Sequence, residues 1–440
     1  MTDYDVIIIG AATSGAYFTN RLAKLGYKVK VIEKSSYKTV GNKYDIFHIA
    51  REDFKKFNLP EVSADSEAFA FSFTDNHFSS PTNKYIIDTK SDIIGLHMHE
   101  YVKLMNDIAV KSGAEIEYNA KFVDFIYENG HINGIRYKNN DGTSEITSEI
   151  VIDCSGYTAK PRCSLPQNYG IETFSLTSDD LFYVVLRYAE FENNQINNFW
   201  LNFKSWYAPF SFNENEKIIG TGATGSFEKT IIVSEKLDKT LNNKFKVIKT
   251  ETGFTPYTRP PYSFVADNFI VAGDAACQTK PENGEGVTSS LVMIDIAVKV
   301  IDCAFKKKDF SKKSLWDINS EYNHAQGADF SMIRAFLTKI VNNIKDEEIE
   351  YCFSKGLIFN SKFLNNEKIG PEDIISTVNE LIKGLAKKKI SGNTLKSAAS
   401  GLSVALKLKK HYLDYPENPD GLKKWSEKAE KLWDNVGKVQ

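Results

Sequence analysis

Gly10, Ala12 and Gly15 lie between an apolar run, Val6-Ile7-Ile8-Ile9, and a stretch from Ala16 to Leu25 with helically spaced apolar residues. A turn built this way brings backbone N–H groups, and the positive end of a helix, close to a phosphate. Gly10 allows the tight turn and Gly15 the close approach of helix to sheet. Ala12 stands where a middle glycine is usual, so that contact is less well matched. A second apolar run, Val29 to Ile32, delivers Glu33, whose carboxylate can accept ribose hydroxyls and disfavours a 2′-phosphate. The chemistry implied is adenine dinucleotide binding, with NAD and FAD both open on these residues.

A second constellation lies far downstream. Gly273-Asp274-Ala275-Ala276 ends a strand-like run, Asn268 to Ala272, and Pro281-Glu282-Asn283-Gly284-Glu285-Gly286 leads into a helical run from Val287. An aspartate at a strand end can hold a polyol hydroxyl. The free N–H groups at the helix start can face the pyrimidine edge of an isoalloxazine ring and stabilise charge on the reduced flavin. Either motif alone is compatible with glycines that serve packing. Both in one chain favour a flavin dinucleotide.

On these residues the chain resembles FAD-dependent oxidoreductases of the p-hydroxybenzoate hydroxylase type, and within them the geranylgeranyl reductases, which favour Pro-x-x-Gly-Glu-Gly. The match runs from about residue 4 to residue 305, and loosely beyond. The resemblance implies FAD, with Gly10, Ala12 and Gly15 on the pyrophosphate, Glu33 on the adenosine ribose and Asp274 on the flavin's polyol chain. It implies that Gly284 and Gly286 lie beside the ring, and that Cys154-Ser155-Gly156 runs near the adenine half. Thr13, Ser14, Lys34, Gly273, Pro281 and Val287 complete the expected cofactor contacts.

The activity implied is reduction of carbon–carbon double bonds in a prenyl or other apolar substrate, by hydride transfer from reduced flavin. The alternative is a flavin monooxygenase or halogenase; a non-catalytic flavoprotein is a third reading. No second dinucleotide fold is visible in the sequence, so the electrons would come from an external donor: ferredoxin, a reduced deazaflavin or NAD(P)H. Trp206-Tyr207-Ala208-Pro209 partly matches the reductases' Tyr-x-Trp-x-Phe-Pro substrate wall, which assigns Trp206, Tyr207 and Pro209 to the substrate; an ordinary buried Trp is the plainer alternative. Lys204 replaces the leading Tyr and sits oddly beside a lipid cavity.

Two departures concern catalysis. The family's Cys-Gly near the flavin is replaced by Tyr44-Asp45-Ile46, and the basic residue opening the next helix is missing, with His97 and His99 nearest. His48 is therefore the first candidate for proton transfer, because imidazole titrates near neutrality, and Asp45 the second. A buried, hydrogen-bonded histidine is the competing reading of His48. Cys277 is either a flavin contact or a small packing residue.

The elements that position these groups follow from periodicity. Alternation of Phe69, Phe71 and Phe73, with a turn at Asp75-Asn76, predicts antiparallel sheet, and Leu96 to Lys111 predicts a helix. Strands are expected at Glu115 to Tyr118, Phe122 to Glu128, Ile132 to Lys138, Thr143 to Thr147 and Glu149 to Asp153, with hairpin turns at Asn129-Gly130 and Asp141-Gly142. The fold class is α/β: a Rossmann-like FAD-binding domain (1–65, 92–162, 262–305) interleaved with an antiparallel-sheet substrate domain (66–91, 163–261), plus a helical C-terminal region (306–440).

Composition excludes little and agrees with this. The chain has 440 residues, 42% hydrophobic and 25% charged, with a formal charge of −2, so no global field favours nucleic acid. Five scattered cysteines lack metal-ligand spacing, and no metal is expected. The chain opens directly on a strand and contains no apolar run of about 18 residues, so a cytoplasmic protein is expected. From Leu381 onward thirteen lysines face six acidic residues. Leu402, Val404, Ala405, Leu406 and Leu408, beside Lys407, Lys409 and Lys410, with Trp425 and Trp433 later, suggest a helix that could lie on an anionic bilayer. A solvated helix packed on its own protein is the alternative.

Overall fold

The computed structural model describes residues 2–41, 45–82, 84–193, 199–201, 205–241, 244–341, 343–357 and 371–437. The chain begins β1 (Tyr4–Ile9), α1 (Thr13–Lys24), β2 (Val29–Glu33), β3 (Ile46–Ala50), α2 (Arg51–Lys56), β4 (Phe69–Ser79), β5 (Ile86–His97) and α3 (Met98–Lys111). A meander of β6 (Glu115–Tyr118), β7 (Lys121–Glu128), β8 (His131–Asn139) and β9 (Gly142–Asp153) follows. Next come α4 (Lys160–Ser164), β10 (Leu181–Phe191), β11 (Phe199–Leu201), β12 (Ser205–Pro209), β13 (Glu216–Thr224), α5 (Phe227–Thr240) and β14 (Phe245–Pro256). The last strands, β15 (Val265–Ala266) and β16 (Phe269–Val271), precede α6 (Val287–Lys307). The helices that end the chain are α7 (Asp317–Tyr322), α8 (Ala328–Ile340), α9 (Asp346–Ser354), α10 (Pro371–Ala386), α11 (Gly392–Leu413) and α12 (Leu422–Asp434).

Three sheets organise the described residues. The first has the order β15-β16-β9-β1-β2-β6, with β7 and β8 attached through β9. Its centre is parallel: Ile8 of β1 lies between Val31 and Ile152. Val6, Ile7, Ile8, Val151 and Ile152 are fully buried, so both faces of the sheet are covered, which is why these strands read as continuous apolar runs. The second sheet, β11-β12-β13-β10-β14, is antiparallel, and the third is β3-β5-β4.

Three local expectations need correction. Asp75-Asn76 is no turn: β4 runs through it, a register shift between Phe73 and Asp75 absorbs the irregularity, and the chain reverses after Ser79. A bulge carries the same polar residue types as a turn. The two strands predicted between Thr143 and Asp153 are one long strand, β9, whose first half pairs β8 and whose second half pairs β1 and β16. Leu96 belongs to β5, opposite Phe47, and the helix begins at Met98. At Asn129-Gly130 both residues have positive φ (51° and 84°), as a two-residue hairpin loop requires.

The C-terminal helices pack on the body. Residues 323–327 form a π-helical segment joining α7 to α8. A Cβ on Gly401 would come within 2.9 Å of Lys339, so α8 and α11 cross closely there. Trp425 is buried, stacked on His411 at 4.6 Å, and its indole N–H donates to the His411 carbonyl. The Trp433 indole N–H donates to the Tyr412 hydroxyl. Both tryptophans hold the last helix to its own protein, Trp425 buried and Trp433 part-exposed. Among the described residues no helix is long and apolar enough to cross a membrane.

Candidate functional site

A cavity of about 1980 Å³ runs along the C-terminal edge of the parallel sheet and under the aromatic sheet. Its first wall is the β1–α1 turn. Gly10 has φ 105°, and a side chain there would overlap the carbonyl of Cys154. A Cβ on Gly15 would overlap the Gly10 carbonyl, so only glycine lets α1 begin this close to β1. Ala12 caps α1 without a side-chain hydrogen bond, leaving the first-turn N–H groups directed at the cavity, where Gly10, Ala12, Thr13 and Ser14 form the wall.

Glu33 does more than its sequence position announces. Its two carboxylate oxygens accept the N–H groups of Ala11 (2.8 Å) and Ser35 (2.7 Å), pinning the phosphate turn to the end of β2. A carboxylate has about four lone-pair sites, so both oxygens retain capacity for a ribose hydroxyl. Lys34, Lys121, Phe122, Gly156 and Tyr157 line the same end. The meander supplies Lys121 and Phe122, and the sequence carried no motif for them.

The second motif closes on the first. Gly273 has φ 66°, and a side chain there would strike Ser14, so this glycine lets the Gly-Asp turn touch the start of α1. Its N–H donates to Gln278 Oε1 (2.8 Å). Arg162, fully buried and unflagged by the sequence, donates to the carbonyls of Ala275 (2.9 Å) and Glu172 (2.8 Å) and holds the turn from behind. Asp274, Pro281, Gly284, Gly286 and Val287 line the cavity; Gly15 and Gly273 shape it from beneath. Cys277 is buried off the cavity, and burial pushes its thiol up to about 12, which makes it a packing residue.

The opposite wall is aromatic. Trp206, Phe182, Val184, Leu186 and Ile218 face the cavity from the antiparallel sheet. Side chains on Gly220 or Gly222 would overlap the rings of Trp206 and Phe182, so these two glycines let the rings lie across the strands. Pro209 is off the cavity, and its carbonyl meets His48 Nε2 at 3.2 Å. The side chain of Tyr207, and Lys204 and Tyr44 altogether, fall outside the described residues.

Neither expected proton carrier is built as an acid. His48 lines the cavity between Phe71 and Phe73, and burial drops its imidazole to about 4, so it is neutral with its N–H committed to Pro209. Asp45 lies off the cavity, held by His97 (3.2 Å) and Lys249 (3.2 Å). Its hydrogen bond with His97, ahead of burial and of Lys249, governs a carboxyl held below its ordinary value. It is a carboxylate at neutral pH, in an ion-pair network. His97 and His99 are likewise absent from the cavity wall.

Comparison with known proteins decides which dinucleotide this cradle takes. Residues 3–293 match the family described as FAD binding domain. The chain belongs to that family. Its cofactor is FAD, and the cradle fits the group: side chains at its glycines would close it, and the uncapped N–H groups that open α1 would be free to hold phosphate oxygens. The chain is 25% identical over 450 residues to the digeranylgeranylglycerophospholipid reductase of Sulfolobus acidocaldarius, covering 98% of this chain and 97% of that protein. The corresponding reductase of Methanocella arvoryzae is 23% identical, over 78% of this chain and 89% of its own length. Among solved structures, a geranylgeranyl bacteriochlorophyll reductase-like protein from Thermoplasma acidophilum superposes with a TM-score of 0.72 at 16% identity, over 87% of this chain and 98% of that one. A flavin-dependent brominase gives 0.63 at 16% identity, over 92% and 99%.

Proposed function

We propose that this protein is an FAD-dependent reductase of carbon–carbon double bonds in isoprenoid chains, acting on a prenylated lipid. The observation that carries the reading is the cavity itself: a backbone-lined cradle for FAD opens without a break onto a wall of Trp206, Phe182, Val184, Leu186 and Ile218. An apolar polyene fits that wall, and the full-length similarity to digeranylgeranylglycerophospholipid reductases supports the same class. When bound, the flavin supplies hydride chemistry. The chain's residues bind and orient: Glu33 fixes the phosphate turn, Asp274 stands at the polyol position, and the aromatic sheet keeps water from the reacting carbons.

The far end of the cavity is lined by Phe330 and Ile333 of α8 and Leu402 and Leu406 of α11, with an Asp329–Lys409 ion pair (2.6 Å) beside them. Leu406 is part-exposed there. This end serves as the entry for a lipid tail, through peripheral contact with a membrane by α11 and its lysines. Electrons come from an external donor such as ferredoxin, a reduced deazaflavin or NAD(P)H. Anaerobic single turnover tests the whole reading. Dithionite-reduced enzyme should reoxidise on adding geranylgeraniol, with a saturated product. Reoxidation that requires dioxygen, and leaves an oxygen atom in the product, would make it a monooxygenase.

A further inference from the structure

Saturating a double bond takes a hydride and a proton, and the chain must present the proton. Five carboxyl side chains line the cavity: Glu33, Asp274, Glu282, Glu285 and Asp329. Glu33 accepts two backbone N–H groups, Glu285 pairs with Lys280 (2.9 Å) and the Thr288 N–H (2.7 Å), and Asp329 pairs with Lys409. Asp274 lines the cradle and is the residue assigned to the flavin's polyol chain. Glu282 is different: its Oε2 is buried and meets no donor among the described residues. It sits in the loop joining the cradle to the aromatic wall, where the Pro281 carbonyl accepts from Tyr257 Oη (2.7 Å) and Gly284 lies against Phe182 and Thr255.

Arg334 of α8 reaches the same loop through Tyr257. It is 7% exposed, and its guanidinium sits 4.4 Å over the ring of Tyr257, whose hydroxyl donates to the Pro281 carbonyl next to Glu282. Arg334 forms no ion pair among the described residues, and with the Glu282 oxygen that lacks a donor it makes an incomplete pair. Completing it requires the carboxyl to lose its proton.

We infer that Glu282 is the acid that protonates the substrate, and that Arg334 receives its carboxylate as the proton leaves. The inference rests on the reductase reading. One alkene carbon takes the hydride; the π pair binds the proton from Glu282 at the neighbouring carbon, leaving a carboxylate. Water returns that proton between turnovers, and the external donor restores the two electrons. Attraction to Arg334 grows only as the carboxylate forms, so it favours the transition state over the ground state. Burial, the largest influence, holds the Glu282 carboxyl above its ordinary value. The charged groups facing it are Lys280 and Glu285 of its own loop and Arg334 of α8, with Asp53 of α2 acting on Lys280.

The test uses the FAD-loaded full chain. Infrared difference spectra at neutral pH should show a carboxylic acid C=O band that Glu282→Gln removes. In single turnover with geranylgeraniol, Glu282→Gln should reoxidise roughly 10²–10³-fold more slowly, while flavin content and its reduction by dithionite are unchanged; Glu282→Asp should recover part of the rate. The wild-type rate should fall as pH rises past the Glu282 pKa. Arg334→Gln should slow turnover and move that limb to higher pH, with Arg334→Lys moving it back. If wild-type enzyme reoxidises with the alkene and Glu282→Gln keeps its rate, or the band is absent, the inference is overturned alone. If wild-type enzyme does not reoxidise, the reductase reading fails and takes this assignment with it.

Discussion

The two walls of the cavity are made of different material. The cradle is largely backbone: N–H groups of the β1–α1 turn, glycines at Gly10, Gly15 and Gly273, and a Glu33 carboxylate that serves the main chain before any ligand. The facing wall is side chain: Trp206 and Phe182 laid over Gly220 and Gly222, with Val184, Leu186 and Ile218 between. Backbone geometry tolerates almost no substitution, because a Cβ in the wrong place meets main-chain atoms that cannot yield. A side-chain wall can be re-cut residue by residue. The contrast separates two tasks: main-chain geometry holds the shape of the cradle, while side chains give the facing wall its apolar surface.

Breaking the cradle should have the largest effect. Gly15→Val drives a side chain into the Gly10 carbonyl. We expect loss of bound FAD and destabilisation of about 3 kcal/mol or more, read from the visible spectrum of purified protein and from urea unfolding. The wall should fail differently. Gly220→Val displaces the Trp206 ring, and the expected outcome is a KM for a prenyl substrate raised by roughly tenfold with flavin content intact. If FAD is lost as well, the walls are not separable and the comparison is wrong.

Glu33→Gln sharpens the boundary. One amide oxygen cannot replace two carboxylate oxygens accepting from Ala11 and Ser35, so FAD affinity should drop by about 1–3 kcal/mol, measured by titrating apoprotein, with little change in KM for the alkene. His48 gives the smallest effect, and it is a pH effect. Its folded pKa, about 4, lies below the ordinary value of 6.5 because burial disfavours the imidazolium. The unfolded chain therefore binds the extra proton first, and stability is fully present above pH 6.5 and declines as pH falls toward 4. The decline should be roughly 2 kcal/mol, discounted for partial solvent contact. Urea titrations at pH 7 and pH 4.5 should show it in wild type and not in His48→Gln.

The sequence by itself determined the cradle. A phosphate turn is a local structure, so the spacing of Gly10, Ala12 and Gly15, the position of Glu33 at a strand end, and the Gly-Asp before a helix are readable from neighbours along the chain. Buried parallel strands were equally legible, because being covered on both faces leaves an unbroken apolar run. Asp75-Asn76 was misread for the same local reason, since a bulge and a turn ask for similar residues. Tertiary structure alone decided the rest. Whether a carboxyl is an acid depends on what surrounds it: Asp45 is held ionised by His97 and Lys249 from β5 and β14, whereas Glu282 Oε2 meets no donor among the described residues, in a loop whose Gly284 lies against Phe182 and Thr255. Arg162, Arg334 and the flat-lying Trp206 owe their roles to partners that lie distant in sequence. Amphipathic spacing shows that a face is apolar and only packing shows what covers it: the indoles of Trp425 and Trp433 donate to His411 and Tyr412 of α11.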